Sequence, residues 1–129
     1  MYRKSCTVTD LEEESMMIIG GEVEFETVAT VSRYDSSGRI ENLPDLIYAR
    51  HSHGCAGYKD DQHKLVVIVA GGVWPGGDPA EQPIDKTELL LPSATKWIMT
   101  DPLPMVMQLL TNALVTVENV VYIIGKIIN

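Results

Sequence analysis

Three apolar runs interrupt the polar background of this chain, and each stops at glycine. Met16–Gly21 reads MMIIGG, Leu65–Gly72 reads LVVIVAGG, and Val120–Lys126 reads VVYIIGK. Runs this short, rich in Val and Ile and closed by turn residues, predict β-strands. Their continuity predicts burial on both faces, because a half-wet strand alternates apolar with polar. Glycine at the strand end permits positive φ and close backbone approach where sheets crowd. Lys96–Asp101, KWIMTD, mixes the two classes and predicts an outer strand with one face in water.

The pattern repeats. Gly20–Gly21 returns as Gly71–Gly72, 51 positions on, and Gly125 follows Gly71 by 54, with Lys126 where a second glycine would stand. Each run is preceded by a second matching segment: Lys4–Asp10, His53–Tyr58 and Thr111–Val117. These align Cys6, Cys55 and Ala113 on one small-residue position. Thr30–Pro44 and Thr87–Pro104 then each read as strand, turn, short strand and a closing Leu-Pro. Four short strands at a period near 50 is the spacing of a β-propeller blade. The expected fold is all-β, with units over 4–44 and 45–104 and a half unit over 105–129.

These elements resemble the kelch repeat, on Gly20, Gly21, Tyr34, Gly71, Gly72, Trp97 and Gly125, with Leu43–Pro44 and Leu103–Pro104. Ile40 and Leu90 stand where the family often has Trp and Tyr, and as apolar residues are expected to pack the same sites. Gln108 falls near the Arg50 position. The resemblance implies a partial β-propeller of four-stranded antiparallel kelch blades. Closed propellers need typically 4–8 blades, so the chain is expected to be a piece of a longer propeller, a truncated product, or an open array that self-associates through its exposed blade faces.

The resemblance also implies a protein-interaction module. Many relatives are substrate adaptors of cullin-type ubiquitin ligases or actin-associated proteins, and their blade-joining loops share a partner-binding face with the loops between second and third strands. Arg50, Ser52, Trp74, Pro75 and Asp78 would lie on that face. There Arg50 would clamp a carboxylate bidentately, or instead bond backbone carbonyls between blades. Val73–Lys86 is the least repetitive segment, with three prolines and a Trp. It reads as a stiff loop presenting Trp74 to a partner, or as a connector with Trp74 folded back. An alternative within the same resemblance is a copper-radical oxidase, which needs Tyr, His and Cys ligands clustered on one face.

Composition narrows the partners. The 129 residues carry a formal net charge of −8, without the clustered Lys and Arg that phosphate backbones require, so nucleic acid is not an expected partner. Six- or seven-residue apolar runs fall short of the roughly 20 needed to span a bilayer as a helix. The polar start MYRKSCTVTDLEEES lacks the apolar core of a secretory signal, and two cysteines make no disulfide framework, so a cytoplasmic setting is expected. A Cys6–Cys55 disulfide is not expected, since stacked sheets lie about 10 Å apart and a disulfide tolerates about 4.4–6.8 Å between Cα atoms. Both cysteines read as small, free, inert packing residues. His51 and His53 alternate in HSH without a third ligand at recognisable spacing, so no metal and no cofactor are expected. No catalytic residue is assigned. Asp10–Glu14 and Asp60–Asp61 read as solvated acidic turns at equivalent places.

Overall fold

Two like meanders form the body of the protein. The computed structural model describes residues 3–76, 81–103, 107–108, 114–124 and 126–127; Asp78, Ala113 and Gly125 lie outside them. Strands β1 (Arg3–Asp10), β2 (Ser15–Val23), β3 (Glu26–Asp35) and β4 (Ile40–Leu43) make a four-stranded antiparallel sheet in chain order. The second sheet takes β5 (Gly54–Lys59) and β6 (Leu65–Ala70), then a two-stranded ribbon intervenes, β7 (Val73–Trp74) with β8 (Gln82–Pro83). It is completed by β9 (Thr87–Leu90) and β10 (Ile98–Thr100), again in chain order and antiparallel. Two shorter pairings follow: β11 (Met107–Gln108) with β14 (Lys126–Ile127), and β12 (Leu114–Val117) with β13 (Val120–Ile123). The described residues hold no helix, so the chain is all-β.

The alternation of side chains along paired strands sorts each sheet into two faces. Cys6, Ile19, Val31 and Leu43 stand in one row across the first sheet. They pack against Cys55, Val67, Val69, Leu90 and Trp97 of the second sheet to make the main core. The opposite face of the second sheet supplies Ala56, Ala70 and Ile68 to a smaller core with Leu103, Leu114 and Val121. The second sheet is therefore covered on both sides, which is why LVVIVA needs no polar residue. MMIIGG is covered on one side only: Met17 and Ile19 are buried, while Met16 faces water.

Three expectations are corrected here. VVYII is not sandwiched: Val120, Tyr122, Ile123 and Ile124 are all exposed, because among the described residues nothing covers the outer side of β12–β13. Ile40 does not fill a packed site either; it is 60% exposed, whereas Leu90 is buried in the main core. Finally, Cys6 and Cys55 are not free thiols but form a disulfide, with Cα atoms 6.1 Å apart. Both sit on the first strand of their sheet, opposite Ile19 and Val69 respectively, so the predicted equivalence holds. The error lay in the distance: β1 runs alongside β5, and β5 alongside β12, so these first strands converge more closely than the sheets' mean separation.

Candidate functional site

The two ends of the sheets differ in kind. At one end the turns are built on aspartates. Asp10 accepts backbone N–H groups of Glu12 and Glu13 at 3.2 and 3.4 Å, Asp35 those of Ser37 and Arg39 at 3.0 Å, and Asp60 those of Gln62 and Lys64 at 2.9 Å. This is the local bonding that makes Asp a turn former. The first two turns of the two sheets are also clasped together: Lys59 Nζ lies 3.1 Å from Asp10 Oδ2, and His63 Nε2 lies 2.9 Å from Glu12 Oε1. Asp10 is consequently buried rather than solvated. Burial raises its pKa, but the Lys59 ammonium and the two backbone donors outweigh that and hold it below the usual carboxylate range.

A groove of about 800 Å³ opens between the sheets at this end, floored by Val8, Met17 and Val67 and rimmed by Arg33, Glu41, Lys59 and Lys64. Arg33 pairs with Glu41 at 3.8 Å and Lys59 with Asp10, so the groove's charges are largely spent on each other.

The opposite end carries the glycine pairs and the connector 44–53 that joins the sheets. Both pairs take positive φ, 56° and 95° at Gly20 and Gly21, 68° and 89° at Gly71 and Gly72. A Cβ on Gly21 would overlap the Lys4 carbonyl, and one on Gly72 would overlap the His51 carbonyl and the His53 side chain. The space freed at Gly21 admits the backbone of β1, and that at Gly20 and Gly72 admits the connector, whose Arg50 carbonyl accepts the Gly21 N–H at 2.8 Å.

Arg50 is the keystone of that connector and is fully buried. Its Nη1 donates to the carbonyls of Gly71 (2.9 Å) and Lys86 (2.8 Å), and its Nη2 lies 2.5 Å from Glu88 Oε2. Glu88, equally buried, also accepts the backbone N–H groups of Ile47 at 2.6 Å and Tyr48 at 3.1 Å. Burial pulls the Arg50 pKa below its ordinary value, opposed by the Glu88 carboxylate. Arg50 as a partner-facing clamp is thus corrected: a guanidinium with no exposed surface and its donors engaged on backbone and Glu88 cannot reach another molecule. His53 is buried beside it and donates Nε2–H to the Ile19 carbonyl at 2.9 Å; desolvation lowers its pKa to about 4, so the ring is neutral. His51 instead contacts Ser52 Oγ at 2.9 Å and Glu22 Oε1 at 3.5 Å. The described residues contain no group of three metal-ligating side chains. The two sulfurs that an oxidase site would draw on are bonded to each other.

Of the remaining expected contact residues, Ser52 is exposed at this end and Trp74 and Pro75 are half-buried. Trp74 does not protrude: its ring meets Tyr48 edge-on, centroids 5.3 Å apart at 81°, and lies over Gly76, where a Cβ would strike the indole. Asp78 lies outside the described residues. Sequence reasoning missed Tyr48, Ile47 and Phe25. Ile47 is half exposed and Phe25 is 77% exposed. Tyr48 had no visible signal, since its contact with Trp74 spans 26 positions. Phe25, the one phenylalanine of the chain, was legible as an aromatic between two glutamates. Trp97, assigned a structural role, keeps one: it is buried and its Nε1 donates to the Pro44 carbonyl at 2.8 Å.

No protein-family model matches the chain, and a search of the curated proteins returns no match. No helix among the described residues is long and apolar enough to cross a membrane.

Proposed function

We propose that the chain is a kelch-type propeller segment that binds another protein through its glycine-pair end. One observation carries this reading. Two like meanders lie face to face with their first strands side by side, and a third pair of strands continues the series against β5. Stacking of that kind directs every connector and every turn between second and third strands to one end. That end gathers the half-buried aromatics Tyr48 and Trp74 with exposed Ile47, Ser52 and Phe25, the mixture that protein interfaces use. The Cys6–Cys55 bridge favours an oxidising compartment over the reducing cytoplasm expected from the cysteine count.

The test is capture by the immobilised protein with a combined Ser52→Glu, Trp74→Ala variant as the comparison. Recovery of a bound protein is expected to fall about tenfold, which corresponds to about 1.4 kcal/mol, with an unchanged near-ultraviolet circular dichroism spectrum apart from the lost indole. Capture that persists undiminished in the variant would remove the reading.

A further inference from the structure

The direction in which side chains pack keeps one phase with the glycines along the whole chain. In the second sheet, Val67 and Val69, four and two residues before Gly71, pack back onto the first sheet. Ile68 and Ala70, three and one before it, pack forward onto the β12–β13 pair. In the first sheet, Met17 and Ile19, three and one before Gly20, likewise pack forward. In β13, Val121, four before Gly125, packs back. The same alternation leaves one face at each end of the series without a neighbouring sheet among the described residues. On the back face of the first sheet, Thr9, Met16, Tyr34 and Ile40 stand in one row. Thr7, Ile18, Ser32 and Asn42 make the next. The forward face of the β12–β13 pair carries Val115 opposite Tyr122 and Val117 opposite Val120, all four 42–53% exposed. No position in either set is charged. A sheet face that stays in water is ordinarily polar, and a contiguous uncharged, apolar patch marks a contact surface.

We infer that the back face of the first sheet is covered by the β12–β13 pair of a second copy of this chain. The phase decides the occupant. Forward-facing Met17 and Ile19 meet back-facing Val67 and Val69, and forward-facing Ile68 and Ala70 meet back-facing Val121. Forward-facing Val120 and Tyr122 therefore call for a back face, and Met16 and Ile18 supply one. Within one chain the second sheet stands between the two free faces, so they meet only across two copies. The contact is head-to-tail, and it either closes into a ring or extends as a filament. Only two strands of the β12–β13 pair take part, a contact below the standard interface size, so the Kd is expected at about 10–100 µM, with monomers well below it. It uses sheet faces and not the glycine-pair end, and it rests on the same stacking as the partner-binding reading while going beyond it.

The experiment is sedimentation of the full chain at concentrations from about 1 to 500 µM, which bracket the expected Kd. The mass of the parent is expected to rise to at least that of a dimer. Met16→Lys places a charge on the back face and Tyr122→Lys one on the forward face. Thr9→Lys, at the exposed residue opposite Met16, is a second back-face change should Met16→Lys disturb the fold. Leu11→Lys is the control, the same charge change on a turn outside both faces, where Leu11 is 84% exposed. Each face variant is expected to raise the Kd about tenfold or more, and Leu11→Lys to leave it within about twofold. An equimolar mixture of Met16→Lys and Tyr122→Lys is expected to regain association as one-to-one pairs, because each supplies the face that the other lacks. The inference is overturned by a parent that stays monomeric, by face variants that associate as the parent does, or by a mixture that regains nothing. If the parent is monomeric while capture still depends on Trp74, only this inference falls. If the parent associates as expected and capture ignores Trp74, the inference stands and the partner-binding face is misplaced.

Discussion

Val31 and Glu88 occupy the same place in the two sheets. Val31 pairs with Ile19, which stands opposite Cys6; Glu88 pairs with Val69, which stands opposite Cys55. Both side chains are buried, yet one is a hydrocarbon and the other a carboxylate. The difference follows from what each sheet must hold. The second sheet receives the connector, a stretch of irregular backbone whose N–H and C=O groups leave water on arrival. Glu88 accepts the connector's Ile47 and Tyr48 N–H groups, and Arg50, itself a connector residue, donates to the Gly71 and Lys86 carbonyls at the end of the second sheet. Val31 has only sheet-to-sheet packing to serve. A buried charge here substitutes for secondary structure that the connector lacks.

The sharpest way to break the comparison is to make the second sheet resemble the first. Arg50→Met leaves Glu88 buried without its cation and removes the guanidinium donor from the Gly71 and Lys86 carbonyls, of which Lys86 keeps the Gly71 N–H. It is expected to destabilise the fold by about 3–5 kcal/mol, the range for removing one partner of a buried pair, read from urea unfolding. The double change Arg50→Met, Glu88→Val would be milder than the sum of its parts if the pair chiefly neutralises itself. If the double variant is as unstable as the sum, connector support and not charge pairing is what Glu88 provides. By contrast Val31→Ile, which adds one methylene within the main core, is a repacking change of about 1–3 kcal/mol at most.

A second difference lies in how the sheets are anchored. The second sheet is gripped on two faces, the first on one face and by the Cys6–Cys55 bond, which closes a loop of 49 positions. Replacing both cysteines by Ser is expected to cost about 2–4 kcal/mol, with amide exchange in β2 and β3 accelerating more than in β6. Equal acceleration in both sheets would show that the bond protects the whole fold and not the less-covered sheet.

His53, wedged between the sheets, adds a pH dependence. Its folded pKa is near 4 and its unfolded value near 6.5, so below pH 6.5 the unfolded chain takes up a proton that the folded chain refuses. Stability is therefore complete above pH 6.5, falls as the pH drops toward 4, and levels off beyond. The full loss amounts to roughly 3 kcal/mol. Asp10 acts in a lower window, because its depressed pKa keeps its contribution until the pH falls through and below the ordinary carboxylate value. His53→Gln should flatten the pH 4–6.5 limb alone; a limb that survives the change assigns the slope to other groups.

Much of this architecture was legible in the chain, and the failures share a cause. Apolar runs marked β2, β6 and β13, Gly71–Gly72 marked the end of β6, and Asp60–Asp61 marked a turn, because each depends on residues within a few positions; Gly20–Gly21 instead lies inside β2, where the register shifts. Misreadings arose wherever the outcome depended on distant neighbours. VVYII and LVVIVA look alike, but only the second has a sheet on each side. Glu88 in TELLL looks like a strand residue facing water, until Arg50, 38 positions earlier, is folded over it. Arg50 fits two roles on sequence alone, and its inward direction is decided by where Gly71 and Lys86 lie. The typical spacing of packed sheets argues against the disulfide, but the first strands do not keep that spacing. The Glu24-Phe25 turn carries no signal in the sequence, because hairpin loops are recognised by Asn and Gly and this one has neither.

The smallest predicted effect tests the one-faced against the two-faced strand directly. Met16 in β2 and Val66 in β6 each stand in the second strand near the aspartate turns, opposite Thr9 and Tyr58 of their first strands. Val66 is 2% exposed and Met16 37%. Val66→Ser removes two buried methyl groups and leaves a hydroxyl to find a partner, an expected loss of about 2 kcal/mol. Met16→Ser changes a side chain already in contact with water and is expected to shift stability by about 0.5 kcal/mol or less. The comparison is informative in its failure too. A loss at Met16 as large as that at Val66 would mean that the outer face of the first sheet is covered in solution, and the covering surface would then be a second copy or another protein. Sedimentation at two protein concentrations separates these, because only self-association makes the Met16 effect grow with concentration.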